Sequence, residues 1–212
     1  GSIGGQSYDR GHMCPSADRT DTVPHNELVF IMSNIIPQAS AQNQGVWATF
    51  ESYCRSLLSS QELLITCGPY NFGPNTVDGG LVAIASNTFK IVVGVPLGAG
   101  TALSRITNAN PNSIRVIALE IPNIGAVGGS AWTTFVTSTK QVQADTGYTF
   151  FNSLPNNLAW VLRSKVDGQA PPVPGAITFS PANGASGTTV TITGTSLDTV
   201  TNVTFNGAVA SY

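Results

Sequence analysis

Apolar positions along this chain follow three distinct rhythms. Residues 28–32 form a short apolar run that stops at Ser33-Asn34, and it predicts a buried strand. Residues 37–42 read as a loop, with Ser40 placed to cap the element that follows. Between Ala41 and Ser59, the residues Val46, Trp47, Phe50, Tyr53, Cys54, Leu57 and Leu58 recur at spacings of three and four, which predicts an amphipathic helix. Residues 63–68 predict a strand closed by a Gly-Pro break. Residues 80–85 and 89–95 predict two more, joined by a Ser-Asn-Thr turn. Residues 114–121 and 132–138 predict further strands, residues 140–146 a short helix, and residues 158–166 a terminal helix or extension.

The pattern changes at Asp167. Residues 168–175 (GQAPPVPG) form a proline-rich linker, extended and rather stiff. Beyond it, Val, Ile and Thr alternate between glycine turns, most clearly over residues 188–195, which is a strand signal. The expected organisation is a unit over 1–167, a linker over 168–175 and a β-rich tail over 176–212.

Composition narrows the class. The 212 residues are 42% hydrophobic, enough for a core, but only 9% charged. The net charge is −2, so bulk positive charge cannot be what holds a polyanion. Any grip on phosphate must be local. No run of 18 apolar residues suggests a membrane span, and no signal peptide is visible. Cys14, Cys54 and Cys67 form no C-x-x-C pair, so a structural zinc site is not indicated. One disulfide plus a thiol and three thiols both remain open.

The chemistry concentrates in two stretches. Asp9-Arg10-Gly11-His12 puts an acid, a cation and an imidazole around a glycine that lets the backbone aim the ring. Asn34, Asn43, Glu51 and Arg55 follow. Phosphodiester hydrolysis needs an activated nucleophile, stabilised phosphoryl oxygens and help for the leaving oxygen. His12 is the candidate general base, because imidazole titrates near neutrality. Asn43 offers a hard, neutral amide oxygen suited to Mg²⁺. Glu51 lies eight residues on, at an offset of about 80° around a helix, so both can face one cleft. Arg10 and Arg55 could hold phosphate oxygens through their planar guanidinium groups. Each has a plainer alternative: Asn43 bonding its own helix start, Glu51 pairing with Arg55 one turn on, and Arg10 pairing with Asp9 or Asp18. Asn34 could hold the loop near Pro37, or hydrogen-bond to His12 or to a water, and Asp9 reads as a brace for the His12 loop. His25 reads as a surface residue, and Asp18 and Arg19 as loop braces, Arg19 being also able to contact phosphate.

Taken in order, DRGH, the segment over 33–38, Asn43-Gln44-Gly45-Val46-Trp47, Glu51 and Arg55 resemble the DNA/RNA non-specific endonuclease family. The resemblance runs from Tyr8 to Asp167. It implies an α+β fold, a central antiparallel sheet flanked by helices with a ββα-metal finger. It implies His12 as general base, Asn43 as direct Mg²⁺ ligand (Mn²⁺ being an alternative), Glu51 as a contact through water, and Arg10, Asn34 and Arg55 as supporting residues. The implied activity is cleavage of DNA and RNA to 5′-phosphate products. The family carries a substantial segment before its motif, whereas eight residues precede Asp9, so an N-terminally truncated domain is expected. The tail resembles the opening half of an IPT/TIG immunoglobulin-like domain, an incomplete β-sandwich. That module and the low charge point to an extracellular or cell-surface protein. They also motivate another class of function, a binding or adhesion protein with a non-catalytic nuclease-like domain, the tail contacting protein or glycan. A hydrolase for smaller phosphodiesters is a third reading.

Overall fold

The structure, a computed structural model, describes residues 2–170, 177–194, 197, 203–205 and 208–209. The chain opens with β1 (Ser2–Ile3) and β2 (Gln6–His12). Residues 13–34 then leave the sheet as an excursion that holds α1 (Val23–Glu27) and several 3-10 turns. The chain returns as β3 (Ile35–Ala39), antiparallel to β2, with His12 opposite Ile35 and Asp9 opposite Gln38.

The strand expected over 28–32 is therefore not there. Those residues form the 3-10 turns Leu28–Phe30 and Met32–Asn34 with Ile31 between them, and only Val29 is buried. Five apolar residues in a row cannot by themselves tell a strand from helical turns. The strand lies further on and includes Pro37, within what the sequence suggested was a loop. Proline is accepted because β3 is an edge of the sheet β1-β2-β3, where a missing N–H costs least.

The helix expected over 41–59 is present but broken. It runs as α2 (Ser40–Gln42), a π-helical stretch (Asn43–Trp47) and α3 (Ala48–Leu57). The break is at Gly45, whose φ of −101° and ψ of −106° are not helical. A Cβ there would sit 2.0 Å from the carbonyl oxygen of Gly128, so the close approach of two backbones requires glycine. Ser40 is not the cap. Ala39 takes that position, and the Ser40 hydroxyl donates to Asp9 instead.

The second sheet holds β4 (Gln61–Val77), β5 (Val82–Pro96), β6 (Arg115–Pro122) and β7 (Val136–Thr137), all antiparallel and in that order. Gly68-Pro69 does not end β4. Pro69 pairs with Thr88 on an outer strand, and the turn comes at Asp78–Gly80, where all three residues have positive φ. Ser86-Asn87-Thr88 is likewise no turn but the middle of β5. Around these strands lie α4 (Ala102–Asn108), which the sequence pattern did not reveal, α5 (Thr139–Thr146) and α6 (Asn156–Ser164). Most of the strand expected over 132–138 is a 3-10 turn, Trp132–Phe135.

Alternation along β5 sends side chains into two cores. Phe89, Ile91, Val93 and Val95 pack with Ile106, Val142, Leu158 and Leu162 from α4, α5 and α6. Val92, with Ile117, Leu119 and Ile121 of β6, packs against Val46, Trp47, Phe50 and Cys54 of the kinked helix. The sheet is thus covered on both faces, which is why β5 reads as a nearly unbroken apolar run. The fold is α+β, with antiparallel sheets flanked by helices.

In the tail, β8 (Thr178–Ser180) pairs with β9 (Thr191–Thr193), and β10 (Thr204–Phe205) with β11 (Ala208–Val209). Most of the linker expected over 168–175, and much of the expected IPT/TIG-like tail, lies outside the described residues. Among the described residues, no helix is long and apolar enough to cross a membrane.

Candidate active site

Strand β2 carries Arg10 and His12, the 3-10 turn before β3 carries Asn34, and the kinked helix carries Asn43, Glu51 and Arg55; it is Asp9 that joins β2 to the helix. The Asp9 carboxylate accepts from the Ser40 hydroxyl at 2.7 Å, the Asn43 amide at 2.9 Å and the Gln44 amide at 2.8 Å. Burial by itself would raise this carboxyl, but those three hydrogen bonds outweigh it and hold its pKa below the ordinary value. The carboxylate can only accept, so it fixes the Asn43 Nδ2 end and leaves Oδ1 as the end turned to other uses. Asn43 therefore does not spend its side chain on its own helix start.

Gly11 permits this packing. It is buried, and a Cβ on it would lie 2.1 Å from Gln38 Oε1. Only a hydrogen there lets β2 lie flat against the fully buried Gln38 of β3.

His12 ends β2. Its ring meets Phe30 edge-on, with centroids 4.9 Å apart and planes at 87°. Its Nε2 is buried and makes no hydrogen bond to the described protein. Asn34 makes no hydrogen bond to the His12 side chain. It clamps Cys14 instead: its Oδ1 accepts from Cys14 N at 2.9 Å, and its Nδ2 donates to Cys14 O at 2.9 Å and to Val29 O at 2.7 Å. Met13 N also donates to Asn34 O. These bonds close the neck of the excursion directly behind His12.

Glu51 and Arg55 do not pair with each other. Glu51 accepts from Lys90 Nζ at 3.1 Å, with the Lys90 side chain 2% and the Glu51 side chain 12% exposed. The ammonium also lies 4.1 Å from the centre of the Trp47 ring. Arg55 donates to Asp18 at 3.0 Å and to the Ser52 hydroxyl at 3.1 Å. Arg10 is exposed and pairs with neither Asp9 nor Asp18. Asp18 braces as expected, and Arg19 caps its carbonyl. His25 is exposed and bonds Asp21. A groove of about 570 Å³ runs beside the helix, lined by Asp18, Arg19, His25, Cys54 and Arg55 among others. All three cysteines are free thiols, and burial pushes the Cys54 thiol up to about 11.

Lys90 belongs to none of the sequence motifs. The available signal was a lone lysine inside the apolar stretch 89–95, where alternation faces it inward beside Val92. Gln44 and Ser40 were likewise not assigned to Asp9.

The model of the "DNA/RNA non-specific endonuclease" family matches residues 1–157 of this chain. The chain belongs to that family. A "Nuclease" of Nostoc sp. is 40% identical over 164 residues, covering 77% of this chain and 57% of the relative. Nuclease C1 of Cunninghamella echinulata is 29% identical, covering 71% of this chain and 59% of the relative. The human mitochondrial nuclease EXOG is 25% identical, covering 71% and 41%. The chain thus spans between 41% and 59% of the length of these three relatives. A chain of the EndoG/EndoGI complex crystal structure matches with a TM-score of 0.58 at 19% identity, over 72% of this chain and 62% of that one, which supports the fold.

Among the described residues, no three His, Cys, Asp or Glu side chains gather into a metal-binding cluster. The donor set at Asn43 is of another kind: one hard amide oxygen whose partner nitrogen is tied down by a carboxylate. That set fits a largely hydrated Mg²⁺, which keeps several waters and uses few protein ligands.

Proposed function

We propose that this chain is the catalytic domain of a Mg²⁺-dependent, sugar-non-specific endonuclease, cleaving DNA and RNA to 5′-phosphate products. The observation that carries the reading is the Asp9–Asn43 hydrogen bond. It ties the DRGH strand to the helix that follows and leaves the amide oxygen, which would serve as the ligand of a hydrated Mg²⁺. Such an ion would offset charge on the phosphoryl oxygens and the leaving oxygen.

The chain's own residues do the rest. His12 takes the proton from the attacking water. With Nε2 enclosed, Nδ1 is the nitrogen that receives it. Asn34 holds the backbone behind the imidazole, so the ring approaches from a fixed direction. Arg10 and Arg55 bind phosphate oxygens, Arg55 exchanging part of its hold on Asp18 to do so. Glu51, anchored by Lys90, orients water at the Asn43 side. Family membership and the named nuclease relatives support this reading, and so does the tie between the DRGH strand and the helix that carries Asn43. The protein acts outside the cell or at its surface, as its low charge suggests.

The test uses the full chain, supercoiled plasmid and a structured RNA, with Mg²⁺ or Mn²⁺. Cleavage of both is expected. His12→Ala should lower the rate by about 10²–10⁴-fold, the usual worth of a positioned acid–base group. Asn43→Ala should abolish Mn²⁺ binding measured by electron paramagnetic resonance. Undiminished cleavage by His12→Ala would remove the base assignment. Absence of both cleavage and Asn43-dependent metal binding would favour a non-catalytic binding domain.

A further inference from the structure

Phe30 lies on the excursion between β2 and β3 and leaves 55% of its surface exposed, although its ring touches the His12 imidazole. Its neighbours Leu28, Ile31 and Met32 are at least half exposed as well. A large aromatic ring in water, one ring's width from a candidate catalytic base, is not explained by core packing.

Charge leaves a gap that such a ring could fill. The chain has 9 Lys and Arg against 11 Asp and Glu. Several of those cations are already committed: Arg55 to Asp18, Lys90 to Glu51, Arg105 to Glu62 and Arg115 to Asp167. Electrostatic attraction to a phosphate backbone is therefore weak here. Stacking of bases on aromatic side chains does not depend on net charge. Every base has a π face, so stacking also tolerates any sequence.

Resting on the nuclease reading above, we propose that Phe30 is a stacking platform for a nucleobase of single-stranded substrate, positioned so that the phosphate of the same or the adjoining nucleotide lies at His12. The site would then prefer unpaired over duplex strands, because a paired base cannot present its face to Phe30 without leaving its stack.

The experiment measures binding rather than cleavage. Fluorescence anisotropy of the full chain in EDTA would compare a labelled single-stranded DNA oligonucleotide with a base-free sugar–phosphate polymer of equal length. Phe30→Leu keeps an apolar side chain of similar reach, so the loop should stay folded, and circular dichroism checks this. Phe30→Leu should weaken binding of the oligonucleotide by about 5- to 100-fold, the range seen when one stacking aromatic is removed. Binding of the base-free polymer should hold within about twofold, and Phe30→Trp should match or exceed the native chain. Equal losses on both polymers, or no loss on either, would overturn the proposal, as would a native chain that binds the two alike. Plasmid cleavage with Mg²⁺, run alongside, reports the nuclease reading separately, so either idea can fail without the other.

Discussion

Replacing Lys90 by methionine removes a buried ammonium and keeps the length of the stem. Glu51 then stays in the wall between sheet and helix with its ion partner gone. The Lys90 side chain is 2% and the Glu51 side chain 12% exposed, so water screens this pair poorly. Breaking such a pair from one side costs about 3–5 kcal/mol, since the remaining charge stays uncompensated. The lost contact with the Trp47 face is part of the same loss, worth about 1–2 kcal/mol in a dry site. For a chain of this size each kcal/mol moves Tm by about 2–4 °C, so Lys90→Met should melt about 6–20 °C lower. Glu51→Gln should cost stability in the same way, leaving Lys90 unpaired. Lys90→Met combined with Glu51→Gln should recover most of the loss, because neither charge then remains. Urea unfolding followed by tryptophan fluorescence measures all four chains. Strictly additive losses, or a single variant within about 1 kcal/mol of the native chain, would refute the claim that the two charges depend on one another. If Glu51 also works in catalysis, the double variant regains stability without regaining cleavage.

Two further predictions follow from local geometry. Gly45→Ala would drive a methyl group into the Gly128 carbonyl, which lies 2.0 Å from the Cβ position. It should cost about 1–3 kcal/mol as overpacking and weaken Asn43-dependent Mn²⁺ binding more than a distant variant of equal stability loss. Glu120 accepts from the Tyr70 hydroxyl at 3.1 Å, and burial together with the nearby Asp145 carboxylate pushes its pKa up to about 7. The folded state thus holds this proton more tightly than the unfolded chain does. Its contribution is fully present below about pH 4.5 and is lost as pH rises through about 7. Glu120→Gln should flatten that decline in stability, and an unchanged slope between those pH values would contradict the assignment.

The α+β class was legible in the sequence, but the positions of several strands and turns were not. The spacing of Val46, Trp47, Phe50 and Cys54 identified a helix with a buried face, and α3 buries Phe50 and Cys54. The break at Gly45 was not legible, because its cause is Gly128, some eighty residues away in the chain. The apolar character of residues 28–32 suggests a buried strand, whereas most of that run faces outward. The turn between β4 and β5 was misplaced for a related reason. Gly68-Pro69 carries the usual marks of a break, but on an outer strand those marks cost little, and Asp78–Gly80 turns instead. The motif residues were readable from spacing along one helix and one strand. Their partners were not: Asp18 for Arg55, Lys90 for Glu51 and Cys14 for Asn34 are set by tertiary packing that no local pattern encodes.

The clasp between Asn34 and Cys14 separates two kinds of evolutionary freedom. Between them, away from Asp18, Val29 and Phe30, the excursion can lengthen without moving the strand pair it interrupts, since doubling a flexible loop costs only about 0.6 kcal/mol. Natural or engineered grafts into the excursion that spare those contacts are thus a route to new surface chemistry beside an unaltered candidate site. The same graft placed one residue inside the knot would misdirect the imidazole.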